Sequence, residues 1–213
     1  MPAPISRPRR AAAALVALVA LVVLVAVTAS LAAPATATTG RGSAAAVTKA
    51  DLRAELLTAA EYAPISTRQG WHRVENTAVF DCGALAATKP AQVSVRRSFF
   101  SDADASGFVS LAHYSSKAQA QEAFADTKAA VRGCEVDSGF LRIKADESVA
   151  APGQARLIDV LTGHRCCGKD THLFGVLRQG RFVGIVKLGE MGKPASLDPA
   201  RTVIRAAAVK LAD

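Results

Sequence analysis

The chain has 213 residues, half of them hydrophobic and only 5% aromatic, and a formal net charge of +8. That length suffices for one domain with a real core and is short for two, and with so few aromatic residues the core must be built mainly from Ala, Val, Leu and Ile. The basic residues are spread over every segment without aromatic interleaving or a clustered face, which argues for a solvated basic surface and against a nucleic-acid partner.

The first 37 residues read as an export signal. Arg7, Arg9 and Arg10 supply a positive start, residues 11–27 are uninterrupted apolar, and Pro34-Ala35-Thr36-Ala37 presents the small residues read by a signal peptidase. The apolar run exceeds the usual length for a cleaved leader and reaches the lower edge for a membrane span. Two outcomes follow: a cleaved signal peptide, favoured by the well-placed cleavage pattern, or a retained anchor that ties the chain to the membrane. In both, the arginines stay cytoplasmic and the chain from about Thr38 lies outside. No cysteine precedes Cys82, so the pattern is not that of a lipidated lipoprotein.

Residues 38–47 are small, rich in Gly, Ser and Ala and without periodicity, as in a flexible spacer. The folded domain is expected over residues 48–213. Thr48 with Asp51, and then Thr58 with Glu61, make two capping patterns for short helices ahead of Pro64. In the polar run 66–74, Trp71 reads as a plug over the core, with a ligand platform as the alternative. Cys82 lies in a Gly-containing turn before Leu85.

Residues 92–100 alternate, with Val93, Val95 and Phe99 on one side and Ser94, Arg96 and Ser98 on the other, which predicts a half-buried strand. Arg97 falls on the apolar side, either snorkelling at a sheet edge or meeting an anion in a cleft. A turn cluster at 101–107 precedes a strand at 108–114. Ser116 then caps a helix in which Ala120, Phe124, Thr127 and Val131 form the buried stripe, with Gln119 reaching back to the cap. Gly133 suits a left-handed helix end. Strands are expected at 140–145, 155–162, 171–178 and 181–188, the last two joined by a tight hairpin at Gln179-Gly180. Gly175 and Gly184 interrupt these strands where another backbone comes close or the sheet bends. Asp198 caps and Pro199 opens a last helix carrying Val203, Ile204, Ala207 and Leu211. The fold class is α+β, an antiparallel sheet with helices packed on one face, stapled by disulfide.

All four cysteines fall in the exported part, where disulfides persist. Cys82 with Cys134 is the preferred pair, because the long loop it closes gives the larger entropic gain, up to about 4 kcal/mol. Cys166 and Cys167 are then a vicinal disulfide, a pair of free thiols, or partners in a crossed arrangement with the other two.

The opening LLTAAEYAP, the first cysteine in Cys82-Gly83-Ala84-Leu85, and the block SLAHYSSKAQAQEAFADTKAAVRGC resemble the PknH-like extracellular sensor domain family of actinobacteria. The resemblance spans about residues 51–211. It implies an α+β domain with a Cys82–Cys134 disulfide, a solvent-accessible cleft and a ligand-sensing role. The adjacent Cys166 and Cys167 depart from the separated second pair of the kinase sensor, and there is no kinase domain.

Reaction signatures are missing from the sequence: no Gly-x-Ser-x-Gly elbow, no His-Glu-x-x-His, no phosphate-binding glycine loop and no Cys-x-x-Cys. His164, Cys166, Cys167 and His172 could bring two imidazoles and two thiolates to one hairpin end and hold zinc or copper, but Arg165 and Lys169 oppose a cation and export favours oxidation of the thiols. The expected function is a non-enzymatic extracytoplasmic sensor or binding domain without a cofactor, its partner a small molecule or a cell-envelope component. Arg96, His113 and Arg178 are its candidate ligand contacts. The rivals are an exported hydrolase with a dispersed catalytic site, a metal-binding envelope protein and a purely structural one.

Overall fold

The computed structural model describes residues 46–75, 79–88, 90–134, 139–164, 168–192 and 196–212. The leader and most of the spacer lie outside them, as do Cys166, Cys167 and the side chain of His164. Two capping boxes start the domain. Thr48 and Asp51 bond reciprocally at the head of α1 (Lys49–Glu55), and Thr58 and Glu61 do so at α2 (Ala59–Tyr62). Both carboxyls are held below the usual carboxylate range, chiefly by the backbone N–H each one accepts.

There follow β1 (His72–Val74), α3 (Ala84–Ala87), β2 (Val93–Phe100), β3 (Ala105–His113), α4 (Lys117–Arg132), β4 (Gly139–Ser148), β5 (Gln154–His164), β6 (Gly168–Gln179), β7 (Phe182–Met191) and α5 (Leu197–Lys210). The strands form one seven-stranded sheet of order β1-β2-β3-β7-β6-β5-β4, antiparallel throughout. The expected α+β class and antiparallel sheet are therefore what the chain adopts. β4, β5 and β6 reach beyond the expected limits at both ends, β2 starts one residue late, β3 is shifted toward its start and β7 toward its end, and the three-residue β1 falls in the run read only as polar.

The helices do not lie on one face. On the first face, called here the α5 face, α1, α2 and α5 bring Leu52, Leu56, Tyr62, Val203 and Ile204 onto Val95, Phe99, Leu157, Leu173 and Val186. On the other, the α4 face, Ala120 and Phe124 pack on Ala112, Val176 and Val183, while Val131 meets Phe108, Phe174 and Ile185. The reason lies in the central strands, which are apolar on both sides: Val186 and Leu188 of β7 point one way, Val183 and Ile185 the other, and all four are buried. A sheet with two apolar faces needs a cover on each.

Close contacts fix the α5 face. A Cβ on Gly175 would come within 2.4 Å of Ile204 Cγ1, so this glycine admits a side chain of α5 rather than the neighbouring backbone the sequence suggested. A Cβ on Gly184 would make only ordinary contacts, the nearest at 3.4 Å. Tyr62 stacks on Phe99 with ring centroids 4.4 Å apart and takes the edge of Trp71 at 5.1 Å. Trp71 thus plugs this core. Arg97 donates to the carbonyls of Leu56, Leu57 and Arg53 at the end of α1, and its side chain also lines a depression of about 370 Å³ with Arg53, Arg73 and Glu75.

On the α4 face, Cys82 and Cys134 are bonded, with Cα atoms 4.8 Å apart, joining the end of α4 to the turn before α3. Arg132 of α4 and Arg156 of β5 both bond Asp146 on β4. Three local expectations need correction. Gly133 is not left-handed, with φ −92°; the Gln119 side chain accepts from the Ser115 hydroxyl instead of reaching back to the cap, although its backbone N–H does donate to the Ser116 hydroxyl; and the last helix begins at Leu197 after Ser196, one residue ahead of Asp198.

Candidate ligand site

The α4 face is covered unevenly. At one end of β2, β3, β7 and β6 the cover is the segment 79–83 rather than a helix, and there a pocket of about 300 Å³ opens. Phe80 leans over His172 with ring centroids 4.8 Å apart. Phe100, Ser106, Asp170, Lys187, Gly189 and Met191 complete most of the wall, to which exposed Asp104 and buried Glu190 also contribute. Among the described residues three large hydrophobic side chains are exposed, Phe80, Met191 and Val209; the first two line this pocket. Beyond Phe80 a wider depression of about 600 Å³ runs past Asp81, Arg96 and the Cys82–Cys134 disulfide.

The floor is set by strand register. Lys187 lies opposite Phe108 on β3 and Phe174 on β6, so its side chain shares their face. It is 1% exposed, while its own carbonyl accepts the Tyr62 hydroxyl on the opposite face. A Cβ on Gly107 would collide with that hydroxyl, which accounts for a glycine in the middle of this contact. Burial pushes the Lys187 amine down to about 7; Arg96 adds to the shift, and Asp81 and Asp170 oppose it. The Arg96 guanidinium sits 4.4 Å above the Phe108 ring and donates to Ser98. His172 is buried, with Nε2 3.2 Å from the Thr162 hydroxyl.

The three sequence candidates do not converge. Arg96 borders the depression beside the pocket. Arg178 is at the far end of the sheet, bonded to Gln154 and the Gly180 carbonyl. His113 is buried at that same far end, opposite Phe182 and 4.9 Å from its ring, and burial together with Arg181 lowers its pKa. Of the proposed metal cluster, only His172 has a described side chain, and it lines the pocket; Cys166, Cys167 and the His164 side chain lie outside the described residues. Among the described residues no group of three or more His, Cys, Asp or Glu is arranged to hold a metal. The sequence reading missed Lys187. Its signal was a lysine inside an apolar run, Phe182-Val183-Gly184-Ile185-Val186-Lys187-Leu188, that a central strand would bury on both faces.

No protein-family model and no curated protein matches the chain. Among solved structures it is similar to the extracellular domain of PknH from Mycobacterium tuberculosis, with TM-score 0.58 and 7% identity over 78% of this chain and 98% of that one. The likeness is one of fold. The sequence resemblance to the PknH-like family is matched by this shared architecture and by no family model.

Proposed function

We propose that the chain is an exported, non-enzymatic sensor-type domain that binds a small molecule in the pocket between Phe80, His172 and Lys187. The observation that carries the reading is the concentration of exposed apolar side chains, Phe80 and Met191, around a pocket with a buried amine on its floor. Exposed apolar side chains beside polar groups that can fix orientation are a usual make-up of a small-ligand site. The export signal, the disulfide and the fold shared with an extracellular domain support the location outside the membrane.

A thermal-shift screen of the full chain against small-molecule fractions of a cell-envelope extract tests this. A binder gains stability by mass action, so at least one fraction should raise the melting temperature. Ser106→Trp, which fills the pocket from β3, should abolish that rise. Fractions that stabilise the variant as much as the wild type would place the ligand elsewhere, and turnover of an ester, peptide or glycoside would overturn the non-enzymatic reading.

A further inference from the structure

Lys187 and His172 share one small space. A Cβ built on Gly189 would lie 2.4 Å from Lys187 Nζ and 3.0 Å from His172 Nδ1, so the missing side chain is what lets amine and imidazole occupy the same corner of the pocket. None of the ion pairs among the described residues involves Lys187. The charged and titratable groups around the amine come from several neighbouring elements: Arg96 from β2, Asp81 from the segment over the pocket, Asp170 and His172 from β6, and Asp104 from the turn before β3; Glu190 of β7 also lines the pocket but gives its carboxylate to Ser66.

This inventory decides between ligand classes. A lysine kept charged beside a carboxylate-poor wall would suit an anion. Here Asp104 and Asp170 line the pocket with it, whereas the Glu190 carboxylate is turned to Ser66, and an anion would meet both aspartates. A neutral carbonyl compound meets no such repulsion. It would find an amine that burial and Arg96 keep about half unprotonated at pH 7, the state in which lysine is a nucleophile.

We propose that Lys187 is the nucleophile of a covalent binding site that takes a small aldehyde or ketone as a reversible imine. The inference rests on the pocket being the ligand site and adds its chemistry. The lone pair of neutral Nζ forms a bond to the carbonyl carbon while the C=O π pair moves to oxygen. That oxygen gains a proton and the nitrogen loses one, giving a carbinolamine. Protonation of its hydroxyl lets water leave as the nitrogen pair closes the C=N bond. One water is released and nothing is oxidised. His172, on the amine's side of Gly189, and Asp170 are the groups placed to exchange these protons.

The test uses the full chain, benzaldehyde as the probe and sodium borohydride, whose hydride converts the imine to a stable secondary amine, with peptide mass mapping at pH 7. Lys187 should be labelled roughly tenfold or more faster than the exposed lysines, because a lysine of ordinary pKa is almost wholly protonated there. Lys187→Met should remove the label, and Gly189→Ala, whose methyl lands on the amine, should slow labelling while melting as wild type does. Labelling of Lys187 no faster than that of exposed lysines, in protein with a native melt, overturns the proposal. So does labelling unchanged by Ser106→Trp. An extract fraction that stabilises the protein through the pocket, with Lys187 unlabelled, would leave the binding reading standing and remove only the covalent chemistry.

Discussion

The two faces of the sheet are packed from the same strands to different ends. The α5 face is closed by three helices over a continuous apolar layer, with Tyr62 wholly buried at its centre. The α4 face is closed by α4 along part of its length and then gives way to a pocket containing a lysine, a histidine and carboxylates. The contrast teaches that stability and chemistry are separated by the thickness of one strand. Lys187 belongs to both, its carbonyl held by Tyr62 on one side and its amine turned to the pocket on the other.

The largest expected effect comes from breaking the closed face. Tyr62→Ala removes a wholly buried ring stacked on Phe99 and leaves the Lys187 carbonyl without its donor. A loss of about 3–5 kcal/mol is expected in urea unfolding, the range for deleting a large buried aromatic side chain. A cost below about 1 kcal/mol would mean that this face is not the main store of stability.

The second effect belongs to the open face and depends on pH. The amine of Lys187 is held at about 7 in the folded chain, against an ordinary value of 10.5. Between those values the unfolded chain binds a proton that the folded chain does not, so this group makes stability rise with pH across the window. Below it both states are protonated, and the full cost of burying the charge is present. Relative to wild type, Lys187→Met should therefore be most stabilising at or below neutral pH, with the advantage shrinking by roughly 2 kcal/mol between pH 7 and 9. Unfolding curves of the two proteins at several pH values read this directly. A difference that stays constant with pH would show that the amine titrates normally.

What the sequence made legible was local or covalent. The two capping boxes, the α4 stripe through Phe124 and Val131, and the Cys82–Cys134 pair each depend on spacing within a short segment or on a chemistry with few partners. The second helical layer was hidden because 105–113 and 182–190 are apolar on both sides, and one strand's pattern does not say which neighbours cover it. The site was hidden for a related reason. Arg96, His113 and Arg178 were chosen as polar residues on strands, but register puts His113 on the closed face and Arg178 at the wrong end. Lys187 looked unremarkable until its strand proved to be the centre of the sheet.

The smallest effects give the sharpest comparison, because Arg96 and Arg97 are neighbours on β2 that serve opposite faces. Arg97 donates to three carbonyls at the end of α1, the nearest at 2.7 Å, where a cation also suits the helix dipole. Arg97→Met keeps the aliphatic stem and should cost about 1 kcal/mol in urea unfolding, leaving Lys187 labelling by benzaldehyde unchanged. Arg96→Met gives up a contact over Phe108 worth no more than about 1 kcal/mol. It also takes away a positive charge that holds the amine down, so the pKa of Lys187 should move up and its labelling at pH 7 should slow. One substitution is thus read in the unfolding curve and the other in the labelling rate. If Arg97→Met slows labelling as much as Arg96→Met does, the two faces are coupled through β2 and their division of labour fails.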